Sequence, residues 1–354
     1  MITSFKANNF KCFEHLELSD LRRLNLLVGA NASGKTALLE AIRLASGATP
    51  QIVLSLNQAR GLAFMLPAYP SREAFEAAWL PLFFLQDIKR TISFSYEDSE
   101  LITKSLNIFF DKTQAFTTVP TPESKSDNGP TTIVPLKFER SIGASKSAVL
   151  ATVTPQGAPQ LQFLRELGPM TGFYASTQAT TMQEVARMLS QLSVEGKEVG
   201  ILQILREVFP FVEGLSVLTL IPGQEAVYIS EAGSSKKLPA TMVSAGVNKF
   251  LSLIIGLSSH RQGVALVDEI DNGFYYRTLP EIWSILLRLT KECDAQIFAS
   301  THSWECLKAA LPAMHEDADA FGLIRTSKSG FGCTAEVICG DDVRSAIEEE
   351  IEVR

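Results

Sequence analysis

A glycine-rich segment near the start of the chain has the composition of a phosphate-binding loop. Gly29 to Thr36 fit the spacing G-x-x-x-x-G-K-[ST] and are called the P-loop below. Glycines let backbone N–H groups approach phosphate oxygens, and a following helix adds the positive end of its dipole. Lys35 would face the β- and γ-phosphates, and the Thr36 hydroxyl would ligate Mg²⁺. The nucleotide-binding residues predicted in this loop are Gly29, Asn31, Ser33, Gly34, Lys35 and Thr36.

Two adjacent carboxylates follow an apolar run in the second half of the chain. Asp268 and Glu269 come directly after Val264–Val267, which reads as a buried strand. Ligands bind at the carboxyl ends of strands in open α/β sheets, so this position suits a nucleotide site. We expect Asp268 to hold Mg²⁺, directly or through water, and Glu269 to orient and deprotonate the attacking water.

A histidine follows the next apolar strand. His302 comes after the strand Ile297–Ser300, and a parallel pairing with Val264–Val267 would bring it to the same sheet edge as the carboxylates. From there His302 would donate a hydrogen bond to the γ-phosphate or hold the water. The sequence therefore predicts His302 as a second catalytic residue.

These residues need a scaffold, and the two ends of the chain supply one. Strands and helices alternate at both ends, with strands over 2–8, 15–18 and 24–28 and a helix after the P-loop. The middle contains apolar helices and, over 91–165, alternating strand patterns. The pattern predicts an α/β protein with a parallel-sheet nucleotide domain formed by residues 1–50 and 238–354, interrupted by a mixed helical and β-rich insertion over 51–237.

Composition limits the alternatives. The 354 residues carry a formal net charge of −7, which argues against attraction to polyanions over the whole surface. The five cysteines and four histidines show no zinc-binding spacing, which favours reduced thiols. No apolar run approaches the ~18 residues that span a bilayer, and no signal-peptide pattern follows the first residues. We expect a cytoplasmic protein that has no membrane segment.

Together these motifs resemble a known group of ATPases. Asn31 and Ser33 give the P-loop the form G-x-N-x-S-G-K-[ST], and Asn9–Phe13 resembles the first-strand pattern N-F-[RK]-x-F of RecF, SMC and Rad50-like proteins. Asp268–Gly273 (DEIDNG) and Thr301–Ser303 resemble motifs of bacterial ABC-type AAA ATPases, most closely the OLD-family ATPase domains. The resemblance implies a P-loop ATPase head with a mostly parallel sheet and an antiparallel β subdomain.

The resemblance also implies a signature segment that reaches a γ-phosphate bound by a partner subunit. The candidate residues are Ser244 and Gly246, at the start of a predicted helix over 243–257. Ala245 and Val247 depart from the family pattern L-S-G-G-[QE], so a simple serine-capped helix stays open as the alternative. For the glutamine-containing loop of these ATPases, the candidates are Gln86 and Gln178.

The function implied is a Mg²⁺-dependent ATPase whose heads dimerise with ATP and separate after hydrolysis, in antiphage defence or genome maintenance. Residues 303–354 are too few for the nuclease domain of OLD proteins, so we expect a separate effector protein such as a nuclease. Two alternatives remain, namely a transporter's nucleotide-binding subunit and an ATP-sensing scaffold with little turnover. Nucleic acid stays open as a partner, although the charge gives it no support.

Overall fold

The P-loop, the carboxylates and His302 are carried by the strands and helices that alternate at the two ends of the chain. The computed structural model describes residues 1–47, 49–59, 72–118, 131–153, 159–165, 182–221, 223–259 and 262–352. Gln178, one candidate for the glutamine-containing loop, lies outside them. Among the described residues there is no helix long and apolar enough to cross a membrane.

The strands and helices of the described residues have the following bounds. The strands are β1 (Ile2–Phe10), β2 (Phe13–Leu18), β3 (Leu24–Val28), β4 (Ile92–Asp98), β5 (Thr103–Phe110), β6 (Phe116–Thr118), β7 (Thr131–Ile133), β8 (Leu136–Ile142), β9 (Ser145–Val153), β10 (Pro159–Arg165), β11 (Val212–Ile221), β12 (Gln224–Glu231), β13 (Leu238–Pro239), β14 (Val264–Val267), β15 (Gln296–Ser300), β16 (Phe321–Ser329) and β17 (Gly332–Cys339). The helices are α1 (Lys35–Gly47), α2 (Pro50–Ala59), α3 (Arg72–Trp79), α4 (Met182–Val194), α5 (Glu198–Val208), α6 (Ala240–Val243), α7 (Ala245–Ser259), α8 (Leu279–Glu292), α9 (Trp304–Ala309), α10 (Leu311–Glu316) and α11 (Asp341–Glu348).

A mostly parallel sheet positions the P-loop and the carboxylates. Its strand order is β14-β15-β3-β16-β17, and β3, β14, β15 and β16 are parallel. Strands β3, β14 and β15 are buried along their whole length, as expected for parallel strands covered on both faces. The predicted parallel pairing of the carboxylate strand with the histidine strand is confirmed. Val267 lies opposite Ala299, so both strands end at one edge.

A second, antiparallel sheet has the order β10-β9-β8-β5-β4-β1-β2, which confirms the antiparallel β subdomain. Strand β1 pairs with β4 as well as β2, so the sheet joins the start of the chain to residues 92–165. The boundaries at residues 50 and 237 remain predictions, and this pairing crosses the first of them. Burial alternates along β4, where Ile92, Phe94 and Tyr96 face the core.

Two hydrophobic cores hold the sheets in place. In one, Leu38 and Ile42 of α1 pack between the antiparallel sheet and the parallel sheet, where they meet Leu266 and Phe298. In the other, helices α4, α5, α7 and α8 cover the opposite face of the parallel sheet. Because α1 is packed on both sides, the P-loop at its start has little freedom to move.

Two predicted helices differ from the observed ones at their ends. The helix predicted over 243–257 is α7, which begins at Ala245 because the backbone of Ser244 is extended, with φ −163° and ψ 156°. The sequence also predicts an acidic helix over 341–351, whereas α11 ends at Glu348, because the backbone leaves helical geometry at Glu349.

Candidate functional site

The P-loop connects β3 to α1 in a conformation that its glycines permit. Gly29 has φ +140°, and a Cβ there would lie 2.3 Å from the Thr326 carbonyl oxygen. Gly34 has φ +107°, and a Cβ there would lie 2.9 Å from the Phe13 ring. Both positions therefore require glycine. The Ser33 hydroxyl lies 2.6 Å from that of Thr326, which donates to the Val28 carbonyl, so strand β16 supports the loop from one side.

Lys35 is held inside the P-loop. Its Nζ donates to the carbonyl oxygens of Gly29 at 2.8 Å and Ala30 at 2.9 Å. Burial lowers the pKa of Lys35, while the charges of Asp268 and Glu269 oppose that shift. The ammonium group thus lies in the concave side of the loop, where a phosphate would offer it charged acceptors in place of neutral carbonyls.

Thr36 and Asp268 meet across the sheet edge. The Thr36 Oγ1 donates to Asp268 Oδ2 at 2.9 Å, although 231 residues separate them along the chain. A hydroxyl and a carboxylate are oxygen donors that suit Mg²⁺, which takes few protein ligands and completes its shell with water and phosphate oxygens. Among the described residues there is no group of three or more His, Cys, Asp and Glu side chains that could hold a metal. The donor set thus fits a magnesium ion bound together with a nucleotide.

Ser300 links the two carboxylate residues, and sequence reasoning missed this role. Its hydroxyl donates to Asp268 Oδ1 and accepts from the Glu269 N–H at 2.8 Å. Glu269 has a left-handed backbone, with φ +50°, and its Oε2 accepts from the Asn272 side chain at 3.3 Å. In the sequence, Ser300 is only a hydroxyl residue at the end of a predicted buried strand. Its role becomes recognisable once β14 and β15 are known to pair.

His302 lies at the same edge, immediately beyond β15. Its side chain is exposed, whereas the neighbouring Thr301 is buried and donates to Asp271 Oδ1 at 2.6 Å. Ser303 caps helix α9 by accepting from the Cys306 N–H at 3.1 Å. These bonds fix the backbone on both sides of His302, and its catalytic role remains a prediction.

Sequence comparison finds relatives on both halves of the site. A family model described as AAA ATPase domain matches residues 1–111, which contain the P-loop. A second model, for an AAA domain family whose description refers to the AbiEii toxin of a Type IV TA system, matches residues 185–306, which contain the carboxylates and His302. The DNA replication and repair protein RecF of Bacillus mycoides (strain KBAB4) is 49% identical over 41 residues, which are 12% of this chain and 11% of RecF.

Solved structures show the same fold. The SmcHead bound to the C-winged helix domain of ScpA aligns with a TM-score of 0.52 at 11% identity, covering 96% of this chain and 99% of that one. An Smc head with an extended coiled coil, bound to the C-terminal domain of ScpA from Pyrococcus furiosus, aligns at 0.50 and 10% identity, covering 99% of each chain. Both halves of the chain therefore match AAA ATPase domain families, and its fold is that of an Smc head.

The signature-like residues of this ATPase lie at the start of α7. Ser244 is exposed, and its Oγ accepts from the Val247 N–H at 3.0 Å, so it caps the helix. Gly246 is buried against the turn after Glu269, where a Cβ would lie 2.4 Å from the Gly273 carbonyl oxygen. This geometry is the one expected of a simple serine-capped helix. The close contact between Gly246 and Gly273 places the start of α7 against the loop that follows Glu269.

Lys249 is the second functional candidate that the sequence did not reveal. From the second turn of α7, its Nζ donates to the carbonyl oxygens of Glu269 and of Asn272, the latter at 3.0 Å, and it lies over the Phe274 ring. Burial lowers the pKa of Lys249 to about 8, and the carboxylates of Asp271 and Glu269 oppose that shift. Lys249 thus fastens α7 to the loop that carries the predicted base.

Proposed function

We propose that this ATPase binds ATP with Mg²⁺ and hydrolyses it to drive the closing and opening of two heads. One observation carries the proposal: Lys35, Thr36, Asp268 and Glu269 come from the two ends of the chain and meet at one sheet edge. The Thr36–Asp268 hydrogen bond of 2.9 Å joins the two halves directly. A parallel sheet with this edge is the usual place for a ligand in α/β proteins.

Each residue has a defined task in the proposed reaction. Lys35 leaves its two carbonyl partners and pairs with the β- and γ-phosphates, and the backbone N–H groups of the P-loop surround the same oxygens. Thr36 and Asp268 would hold Mg²⁺, which supplies charge neutralisation at the phosphates. Glu269 takes a proton from the attacking water, and His302 donates a hydrogen bond to the γ-phosphate.

The switch part of the proposal concerns α7. Ser244 and the helix start at Gly246 would contact the γ-phosphate that a partner head holds in its own P-loop, so that each site needs two chains. The Gly246–Gly273 contact and the Lys249 hydrogen bonds support this part, since they connect α7 with the Glu269 loop of the same chain. Residues 51–237 would transmit closure to another protein.

A role in antiphage defence or genome maintenance, through a separate effector such as a nuclease, is the biological part of the proposal. The matched toxin–antitoxin family and the RecF segment support it, and the Smc heads bound to ScpA are an example of such heads with a partner protein. Nucleic acid is not included, because basic side chains described on the antiparallel sheet pair with acids, as Lys104 does with Asp98 at 2.8 Å and Lys137 with Glu139 at 3.2 Å.

A mixing experiment tests the switch. Lys35→Ala protein is combined with Ser244→Arg protein, and phosphate release is measured after subunit exchange has been verified with labelled chains. Mixed dimers contain one site with an intact P-loop and an intact α7 start, so activity should return. Ser145→Arg, an exposed change at the first residue of β9, is the matched control and should hydrolyse ATP normally on its own. Absence of activity after mixing, or normal hydrolysis by Ser244→Arg alone, would exclude shared sites.

A further inference from the structure

The two sides of the P-loop differ in chemistry. Strand β3 lies at the centre of the parallel sheet, with β15 and β14 on one side and β16 and β17 on the other. Asp268, Glu269 and His302 all follow strands of the first side. In the proposed site the γ-phosphate and Mg²⁺ therefore lie toward β14 and β15, and the sugar and base must extend toward the other side.

On that other side, the β16–β17 hairpin projects beyond the P-loop. Val28, the last residue of β3, pairs with Arg325, but β16 continues to Ser329. Four further residues extend the strand by roughly 13 Å at about 3.3 Å per residue. The hairpin tip is Gly330-Phe331, where Gly330 has φ +57° and the Phe331 side chain is 89% exposed. An aromatic ring thus stands in solvent at the ligand-binding edge of the sheet.

The base of the hairpin is fixed to the P-loop. Cys333, two residues after Phe331, is buried, and its Sγ lies 3.9 Å from the Ala32 carbonyl oxygen. The Cys333 N–H donates to the Cys12 carbonyl at 2.7 Å. A Cβ on Gly34 would lie 3.1 Å from Cys12 Sγ and 3.2 Å from Cys333 Cβ. The hairpin therefore keeps a constant position relative to the phosphate-binding backbone.

A second exposed apolar side chain follows, in sequence, a ring that packs against the hairpin. A Cβ on Gly332 would lie 3.4 Å from the ring of Phe84, which is buried. The next residue, Leu85, has φ +51° and is 59% exposed, and Gln86 is also left-handed, with φ +59°. Left-handed backbone is costly for leucine, and it turns the side chain away from the core that holds Phe84.

We propose that Phe331 and Leu85 form a platform on which the base of the bound nucleoside triphosphate stacks. The inference rests on the proposed function, because the P-loop of the same chain must hold the phosphates. The nucleotide base is the occupant because the platform continues the phosphate site on the side away from the γ-phosphate. An aromatic ring with a neighbouring aliphatic side chain suits the flat, apolar face of a purine.

The test separates the base from the phosphates. Binding of Mg·ATP and of Mg·tripolyphosphate, which has no base, is measured by calorimetry for the wild type and for the double variant Leu85→Asn/Phe331→Ser. Loss of stacking should weaken ATP binding about tenfold or more and leave tripolyphosphate binding unchanged. Phe331→Tyr keeps the ring and should bind ATP as the wild type does.

A control double variant also replaces two exposed apolar residues by Asn and Ser, elsewhere on the surface. Leu101 is 81% exposed and left-handed, with φ +59°, and Val194 is 89% exposed. Leu101 lies in the turn between β4 and β5, next to Met1 and so near the opposite edge of the parallel sheet, because Ile2 N–H donates to Gln296 at the start of β15. Leu101→Asn/Val194→Ser should therefore bind both probes as the wild type does.

Several results would overturn the platform. The first is an unchanged ATP affinity in the double variant, even if its self-association changes. The second is an equal loss of affinity for ATP and for tripolyphosphate in that variant. The third is weak ATP binding by Phe331→Tyr. Lys35→Ala reports on the proposed function separately, since it should lose both probes. If the wild type binds neither probe, the proposed function fails, and the platform fails with it.

Discussion

The sheet edge around the P-loop and the start of helix α7 differ in how their polar groups are satisfied. At the edge, Lys35 and Thr36 and the Asp268 carboxylate bond to other groups of the same site. At α7, Ser244 bonds to its own helix, and the Lys249 side chain donates across to the edge. The difference indicates that the groups at the sheet edge are assembled within one chain, and that α7 is connected to them through Lys249.

The largest expected effect tests the chemical side of this comparison. Glu269→Gln keeps the size of the side chain and removes the base, so turnover should fall by roughly 10²- to 10⁴-fold while ATP affinity is retained. Phosphate release and calorimetry measure the two quantities. Glu281→Gln, a change in the first turn of α8, is the control. Hydrolysis at the wild-type rate by Glu269→Gln would refute the assignment of the base.

Lys35→Ala tests binding at the same edge. Removing the ammonium group leaves the β- and γ-phosphates without their charged partner, and we expect ATP affinity to fall about a thousandfold. Circular dichroism should show an unchanged fold. Lys146→Ala, on the exposed start of β9, should bind ATP normally. If Lys35→Ala retains its affinity in calorimetry, this loop is not the phosphate site.

Lys249→Met tests the connection between the two regions. The substitution keeps the aliphatic stem and removes the donors to Glu269 and Asn272, so we expect turnover to fall about tenfold while ATP affinity stays the same. Lys249→Arg restores a donor and should recover part of the rate. Equal turnover in all three proteins would show that α7 and the carboxylate loop act independently.

The same variant has a stability signature that depends on pH. Burial holds the pKa of Lys249 near 8 against an ordinary value of 10.5, in spite of the opposing charges of Asp271, Glu269 and Asp268 and the nearby Cys306 thiol. Between those two values the unfolded chain binds more protons, so the free energy of unfolding of the wild type should rise with pH. Lys249→Met should lack this increment. Parallel denaturation curves from pH 7 to 10 compare the two.

The smallest expected effect is the loss of stability when a serine that caps a helix is removed. Ser244→Ala and Ser303→Ala each remove a serine that caps a helix, and each should cost about 1 kcal/mol of unfolding free energy. If sites are shared between heads, Ser244→Ala should also change how turnover depends on protein concentration, and Ser303→Ala should not. An identical concentration dependence in the two variants would argue for a self-contained site.

The sequence was informative wherever chemistry is concentrated in a few consecutive residues. The P-loop and the pair Asp268-Glu269 could be read from local pattern, and so could the strands that carry them, because fully apolar runs are typical of buried parallel strands. Ser300 could not, since its two partners reach it only through the pairing of β14 with β15. Lys249 could not be predicted either, since a lysine near the start of a helix is ordinarily exposed.

The antiparallel sheet shows another limit of local reading. Alternation predicts each strand, but nothing in Ile2–Phe10 indicates that its second neighbour is Ile92–Asp98. The exposure of Leu85 and Phe331 could not be predicted either, because an exposed apolar residue has no sequence signature of its own. Gln86 was named for the glutamine-containing loop, and that assignment stays a prediction.

The position of β3 between β15 and β16 has a consequence for how the protein is made. The strand that leads into the P-loop is synthesised well before its neighbours, because both strands that flank it come from residues 296–329. At about 5–20 residues per second, a ribosome needs roughly 15–55 s to bridge that interval. Until then the apolar β3 has no neighbours in its sheet, and Thr36 has no Asp268. A nascent chain of this ATPase therefore completes its nucleotide site only after residues 296–329 have been synthesised.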